Sequence, residues 1–505
     1  MAVSFCSVLQ IINQFLFFAV NARTWGADAD TDPLLFAVAL PVVFSTIITG
    51  SLSYVLVPHL VKKLEEDQED QAPERSSGVW ELASYVGLLT LMASSLVAAC
   101  IYFFALPLAE SLMEQKVPGQ HQDAAGFLRI LTLQVVLYGM ISWAQAVLHS
   151  QHRFLSAAVA GVLGTAVQLL IVFAIGHRGL TVIAWAINAG SALSLAMHLL
   201  PLVTKLRMPK ADSSAVLKLF ASLWPLILGA MFLRLDPLVD RVFASELDSG
   251  SLTHISWAHR IHAALLALGT SSLALVAFPQ LAEFYAKQGI SGFQAHFALC
   301  TRRLCLLIVP VACGVSCFAL WIIRDLLEGG EFLPSDTHRV GWLVTYFMGL
   351  FVGASLAELV SRGFYVLGDT KTPTVVGVIC LVLGLALKYY LFQVYGLWGI
   401  GMGISFYYLF TAAVLAVLLA RRAGHEIFSD LPRYFLHSMF GSLIACGCCA
   451  LIYAITIGDV ALKHTWIAAP VGMIVYFAVL LVIRNSEAWQ LLRAVALRFG
   501  RKESA

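Results

Sequence analysis

Arg234, Asp236, Asp240 and Arg241 stand close together inside one apolar run, and His254, His259, Arg260 and His262 follow at the head of the next. Asp236 and Asp240 are four residues apart and share a helix face. Pro237 between them kinks a helix and frees a carbonyl. Arg260 lies several residues inside its run, so in a membrane it must face the interior of a helix bundle, where ionisable residues are costly and usually functional. This is the chemistry of binding rather than bond cleavage. A guanidinium grips an anionic head group, and carboxylates and imidazoles act as counter-charges or proton carriers. The plainer alternative is a structural ion pair between the two runs near the outer surface. Arg129, and Glu358 with Arg362 one turn away, are further candidates. Gln134, Gln145, Gln168, Asn188 and Lys388 read mostly as helix-packing groups. Cys313 and Cys317 are one turn apart, but no His or acid completes a metal site. All ten cysteines sit in apolar runs, as small packing residues would. No Gly-x-x-x-x-Gly-Lys-Ser/Thr loop is present, which argues against direct use of ATP. The expectation is a protein that is not an enzyme and needs no metal or cofactor, with energy drawn from an ion gradient or the membrane potential.

The elements that must position these groups are membrane helices. Of the 505 residues 59% are hydrophobic and 12% charged, too few charges to cover a water-soluble surface of this size. The apolar runs reach the roughly 20 residues that cross a bilayer. They are continuous rather than alternating, which excludes a β-barrel. About fourteen spans are expected, near 5–23, 34–61, 79–105, 127–149, 155–176, 180–203, 215–244, 255–284, 297–323, 340–366, 374–394, 397–420, 434–457 and 465–483. The first run carries Asn13, Gln14 and Asn21, and so should face protein or a cavity. No Lys or Arg precedes it, so it reads as a membrane helix and not a cleaved signal. The net charge of +2 gives no reason to expect nucleic acid.

Twenty Lys and Arg fall in the even-numbered junctions and the tail, and six in the odd-numbered ones, which predicts both termini in the cytoplasm. The chain also repeats itself. Ser51-Leu-Ser-Tyr-Val-Leu-Val-Pro58-His-Leu60 returns as Ser272-Leu-Ala-Leu-Val-Ala-Phe-Pro279-Gln-Leu281, with five of ten positions identical. Arg153 then corresponds to Lys371, and Gly179-Leu180 to Gly396-Leu397, at a similar offset. The offset covers six spans, an even number, so the halves share one topology about an axis along the membrane normal, as in secondary transporters. The predicted fold is an all-α membrane protein with two six-helix lobes and two C-terminal helices. Its parts are 1–213, 214–425 and 426–505.

Several segments resemble the MurJ (MviN) lipid II flippases of the polysaccharide-exporter superfamily. Ala22-Arg-Thr-Trp-Gly-Ala27 leads into Asp30-Thr31-Asp32 and Ala39-Leu40-Pro41. Gly50-Ser-Leu-Ser-Tyr-Val-Leu-Val-Pro58 is similar to the family's Gly-Ala-Phe-Ser-Gln-Ala-Phe-Val-Pro. Ser256-Trp-Ala-His-Arg260 stands where the family has Tyr-Tyr-Ala-Asp-Arg. Glu328-Gly-Gly-Glu-Phe332 with Asp336-Thr337 looks like Glu-Arg-Gly-Ala-Phe and its following Asp-Thr. The most specific stretch is Ser361-Arg-Gly-Phe-Tyr-Val-Leu-Gly-Asp-Thr-Lys-Thr-Pro373, close to Arg-Ala-Phe-Tyr-Ala-Leu-Gly-Asp-Thr-Arg-Thr-Pro.

The resemblance covers about residues 20 to 420. It implies a V-shaped pair of lobes, an inward- and outward-facing cycle and a cationic central cavity. The implied substrate is an undecaprenyl-pyrophosphate-linked peptidoglycan precursor, carried across the bacterial cytoplasmic membrane. The other implied partners are membrane lipids and cell-wall synthesis enzymes. Arg260, Arg234 and Arg129 become the expected substrate-binding residues. Asp32, Asp236, Asp240, His259, Glu358 and Arg362 become the expected gating or ion-coupling residues, and spans 13 and 14 a groove for the lipid tail. The departures are specific. Phe17-Phe18 stands where the family has Arg-Asp, Ser45-Thr46 where it has a paired arginine, Thr49 replaces an acid, and His259 replaces an Asp. Of the usual cavity cations only Arg260 is carried over; Asp32 also matches. Fewer arginines weaken phosphate binding, since each charged hydrogen bond contributes about 1.5–3 kcal/mol. The alternatives this raises are export of another lipid-linked oligosaccharide, or a non-transporting scaffold for envelope synthesis.

Overall fold

The computed structural model describes residues 2–44, 56, 57, 60, 76–205, 236–268, 270–455, 461–483, 485, 487 and 489. Arg234, the Ser45-Thr46 and Thr49 departures and most of the Ser51–Leu60 repeat segment lie outside them. Among the described residues sixteen α-helices follow one another. They are α1 (Ala2–Trp25), α2 (Asp32–Phe44), α3 (Ser76–Phe103), α4 (Ala105–Leu112), α5 (Gln120–Leu131), α6 (Leu133–Ser150), α7 (Phe154–Ile175) and α8 (Leu180–Leu199), then α9 (236–245), α10 (Ser251–Leu268), α11 (Thr270–Leu327), α12 (Pro334–Val366), α13 (Lys371–Tyr395), α14 (Leu397–Ala423), α15 (Leu431–Ile455) and α16 (Ala461–Val482). No strand occurs among the described residues. Ten described helices are long and apolar enough to cross a membrane, and they coincide with the expected spans 1, 3–6 and 9–13. Spans 2 and 14 begin or end in the shorter apolar helices Asp32–Phe44 and Pro470–Val482. Span 7 lies mostly outside the described residues, and span 8 corresponds to α10 and the start of α11. α11 is two helices in tandem, broken at Gly289.

The chain divides into two compact units. One comprises Met1–Ser256 with Gly329–Asp336, the other Trp257–Glu328 with Thr337–Ala505. In the first unit polar side chains tie apolar helices together, because a hydrogen bond in a bilayer has no water to compete with it. Gln134 donates to Asn188 (2.6 Å), Asn188 donates to the Ile130 carbonyl (2.8 Å) and Ser191 donates to Gln134 (3.0 Å), which joins α5, α6 and α8. Trp143 reaches the Ala83 carbonyl (2.8 Å) and fixes α6 to α3. α1 presents Phe5, Val8, Ile12 and Leu16 outward at helical spacing, while Asn13 turns to Thr165 on α7.

In the second unit the specific Gly-Asp-Thr motif is a helix start. Asp369 accepts hydrogen bonds from the amides of Lys371 (3.1 Å) and Thr372 (3.0 Å) and from the Thr372 hydroxyl (2.7 Å), and pairs with Arg422. It therefore caps α13, whose Pro373 sits in the first turn where the missing N–H costs nothing. These donors, with Arg422, hold the Asp369 carboxyl below the usual aspartate range. Lys388 on α13 is fully buried and packs against Gly403 of α14. Tyr476 on α16 bonds to Ser438 on α15 (2.7 Å) and to the Leu306 carbonyl on α11 (3.0 Å).

Candidate functional site: a loop junction at the start of helix α10

The first unit brings together the ends of α1, α2, α9 and α10 and the turn before α12. Asp32, the first residue of α2, is 1% exposed. Its Oδ2 accepts from the Gly250 amide (2.9 Å), and its Oδ1 accepts from the Thr253 amide (3.0 Å) and hydroxyl (2.7 Å). Gly250 and Thr253 are the N-cap and third residue of α10, whose amides have no partner within the helix. Asp32 thus satisfies from another part of the chain the two donors that a local capping box would satisfy, and it places a carboxyl on the helix dipole. Thr31 meets Thr253 hydroxyl to hydroxyl (3.1 Å).

One turn into α10, His254 is 1% exposed, and its Nε2 lies 2.9 Å from Asp336 Oδ1. Asp336 Oδ2 accepts from the Leu333 amide (2.9 Å), so this acid also caps α12 from its first turn. With both carboxyl oxygens accepting, the His254 proton belongs on Nε2. His254 Nδ1 is buried with no hydrogen-bond partner. The backbones approach without side chains between them. Gly250 (φ 82°) lies where a Cβ would stand 2.1 Å from the Ala27 carbonyl oxygen, and Gly330 (φ 60°) where one would stand 2.0 Å from that of Arg23. The Glu331 amide donates to the Arg23 carbonyl (2.9 Å). Gln120 bridges the 4–5 connection to this junction through the Ala29 carbonyl (3.0 Å).

Burial dominates the electrostatics. It pushes the Asp32 carboxyl above the usual aspartate range, against the pull of its three donors and Lys116. Burial and the neighbouring acids Asp336, Asp30 and Glu331 push Asp28 the same way. Burial also lowers the Lys116 ammonium, opposed by Asp32, Glu114 and Asp248, and its Nζ is buried with no hydrogen-bond partner.

The other expected site residues are placed as follows. Asp236 and Asp240 are both buried, on α9, four residues apart as read from the sequence. Arg241 lies 3.5 Å from the Ser256 hydroxyl. Arg260 is half-buried on α10, in the second unit, seven residues beyond Thr253. His259 packs on the Phe347 ring with centroids 4.8 Å apart. Glu358 and Arg362 form an ion pair at 2.7 Å along α12. Arg129 is exposed on α5 and lies over the Tyr102 ring, 5.9 Å from its centroid. Among the expected residues the structure therefore joins Glu358 to Arg362, and joins Asp32 to Gly250 and Thr253, which were not candidates; beside them the candidate His254 meets Asp336. Asp32 and Asp336 both stand at the head of an apolar run, the position of a helix cap, but which helix an acid caps is not written in its neighbours.

The second unit also holds a groove of about 250 Å³ between α11, α15 and α16. Val311, Val315, Phe318, Trp321, Ala445 and Met473 line it, with little polar surface.

With this geometry in hand, comparison with known proteins is decisive. The family model described as "Lipid II flippase MurJ" matches residues 21–477. The chain belongs to the MurJ lipid II flippase family. The lipid II flippase MurJ of Burkholderia cenocepacia is 24% identical over 448 residues, covering 84% of each chain. The probable lipid II flippase MurJ of Helicobacter pylori is 24% identical over 455 residues, covering 84% of this chain and 94% of its own. A solved structure titled "Lipid II flippase MurJ, inward closed conformation" superposes with a TM-score of 0.77 at 16% identity, over 96% of this chain and 98% of its own. A multidrug resistance MATE family transporter of the MOP superfamily, inward-facing, gives 0.71 at 13% identity, over 83% of this chain and 96% of its own. This MurJ-family chain is a multi-pass membrane protein with a MurJ/MATE-like helical fold.

Proposed function

We propose that the chain carries lipid II, an undecaprenyl-pyrophosphate-linked peptidoglycan precursor, across the bacterial cytoplasmic membrane by alternating access. Family membership over residues 21–477 supports the substrate. The structural observation that carries the mechanism is that one helix, α10, holds both the junction contacts and Arg260. Thr253 and Arg260 are seven residues apart, about 10 Å along the helix axis. Making or releasing the Asp32 and Asp336 contacts therefore bears directly on the helix that presents the guanidinium. Arg260 grips the pyrophosphate, and Asp236, Asp240 and His259 tune or gate it. The repeat-derived lobes 1–213 and 214–425 are the moving parts, with 426–505 appended. Both termini are cytoplasmic, which puts the Asp32 junction on the outer side. The apolar groove of α11, α15 and α16 takes the lipid tail. No covalent step is required, and coupling is to an ion gradient or the membrane potential.

The test is lipid II exposure at the outer face of bacteria depleted of their own flippase and expressing this chain. Restored exposure that Arg260→Ala abolishes is the expected result, with Arg260→Lys intermediate because Lys lacks the bidentate fork. A well-expressed chain that gives no exposure would overturn the lipid II assignment in that host.

A further inference from the structure

The first unit contains a second cavity, of about 430 Å³, lined by α1, α6, α7 and α8. α1 turns Ser7, Gln10 and Gln14 into it, on the opposite side from its outward face of Phe5, Val8, Ile12 and Leu16. α6 adds Tyr138, Ser142, Gln145 and His149, α7 adds Thr165 and Gln168, and α8 adds Ser191, Ser194 and His198. Among the described residues, no Lys, Arg, Asp or Glu lines it. A cavity inside a membrane bundle that displays this many polar groups is unusual, because each one must be satisfied there. The hydroxyls of Ser7, Ser142, Thr165 and Ser191 and the side chains of Gln168 and His198 each have a protein partner, while each hydroxyl and carboxamide keeps further donor or acceptor capacity for a ligand. The space itself depends on Gly161, where a Cβ would stand 2.8 Å from Gln10 Oε1.

The chemistry of the lining limits the occupant. A phosphate asks for cations and a cation asks for carboxylates, and the described lining residues offer neither. Carboxamides, hydroxyls and imidazoles offer donors and acceptors side by side, which matches sugar hydroxyls and acetamido groups, each a donor and an acceptor. Tyr138 and Phe154 supply apolar faces for the ring of a sugar. The volume of about 430 Å³ is within the range for small-molecule clefts, roughly 300–1,000 Å³. We infer that this cavity binds an uncharged saccharide, the sugar portion of the lipid-linked substrate. The inference rests on the flippase reading above and adds to it. It also gives the amide-bearing face of α1 a role in a helix where the family's arginines are missing.

The experiment measures binding to the purified full chain of two probes, undecaprenyl pyrophosphate and the same lipid bearing a peptide-free disaccharide. Wild type should bind the disaccharide lipid about tenfold more tightly, the scale of two or so hydrogen bonds. Gln14→Leu with Gln145→Leu should remove that advantage and leave the bare lipid's affinity unchanged, whereas Arg260→Ala should weaken both. Equal affinity of wild type for the two probes overturns the saccharide site and leaves the flippase reading intact. Binding of neither probe overturns both. A disaccharide lipid with a photoreactive group on the sugar provides a readout that needs no variant. Crosslinks mapping to α1, α6, α7 or α8 support the site, and crosslinks confined elsewhere overturn it.

Discussion

Asp32 and Thr253 touch, and they are separated by 221 residues, the same displacement that relates Ser51 to Ser272 in the internal repeat. Each stands in the first turn of its helix, α2 for Asp32 and α10 for Thr253. Identical residues there would be a poor match. Two aspartates would repel and two threonines would leave the α10 amides without an acceptor. As it stands, an acceptor on α2 meets donors on α10, so the contact is complementary.

This relationship predicts the outcome of exchanging the pair. Asp32→Thr removes the acceptor for three donors, each costing about 1–3 kcal/mol when left buried and unpaired. Thr253→Asp sets two carboxylates against each other. The double exchange should be more stable than either single variant, with a coupling of about 0.5–3 kcal/mol. Thermal unfolding of the detergent-solubilised protein followed by size exclusion checks this. Strict additivity would show that the two side chains do not interact.

The sign of the pH dependence follows from Asp28 and Asp32. Both carboxyls are raised above the 3.8 of an ordinary aspartate. Within the window between 3.8 and the raised values the folded chain holds more protons than the unfolded chain, so their contribution to stability falls as pH rises. It is fully present below that window. Asp32→Asn has no carboxyl to titrate and should flatten this part of the profile, at the cost of facing an amide donor with another donor. Melting temperature measured across the acidic range, wild type against Asp32→Asn, tests it; identical slopes would refute the assignment to Asp32.

Backbone contact at the junction should not tolerate side chains. Gly250→Ala and Gly330→Ala each force a Cβ onto a carbonyl oxygen at a positive φ. Strain of this kind costs about 1–3 kcal/mol per residue. Both variants should lower stability and reduce transport. Gly119→Ala is the control, since it has a positive φ with nothing within 4 Å. Equal loss in all three would mean that conformation alone, not close approach, is at fault.

Filling the apolar groove should discriminate by tail length. Val315→Trp places an indole among Phe318, Trp321 and Ala445. Uptake of a long-tailed lipid should fall severalfold, and that of a short-tailed analogue should be retained. Competitive binding with the two lipids measures the difference. Equal loss of both would move tail recognition away from this groove.

Much of the architecture was legible because a bilayer permits so few solutions. Apolar length alone identified the spans that ten described helices reproduce, since an unpaired backbone group cannot persist in hydrocarbon. The polar helix-packing residues were also readable, and Gln134 and Asn188 bond across α6 and α8 as expected. Arg129 shows the limit of this reasoning. Its position just inside a span left its facing open, and the structure lays it exposed over Tyr102, because one residue's rotation about a helix axis decides which surface it faces.

The sequence by itself determined that this is a many-helix membrane protein with a MurJ-like order of motifs. These follow from composition, period and local motif, which need no knowledge of distant contacts. Only the tertiary structure decided that Asp32 caps α10 rather than its own helix, that His254 pairs with Asp336, and that the amides of α1, α6 and α7 line one cavity. Each of these joins residues tens to hundreds of positions apart, and hydrogen-bond partners at that range are fixed by how helices rotate and pack, not by what stands beside them in the chain.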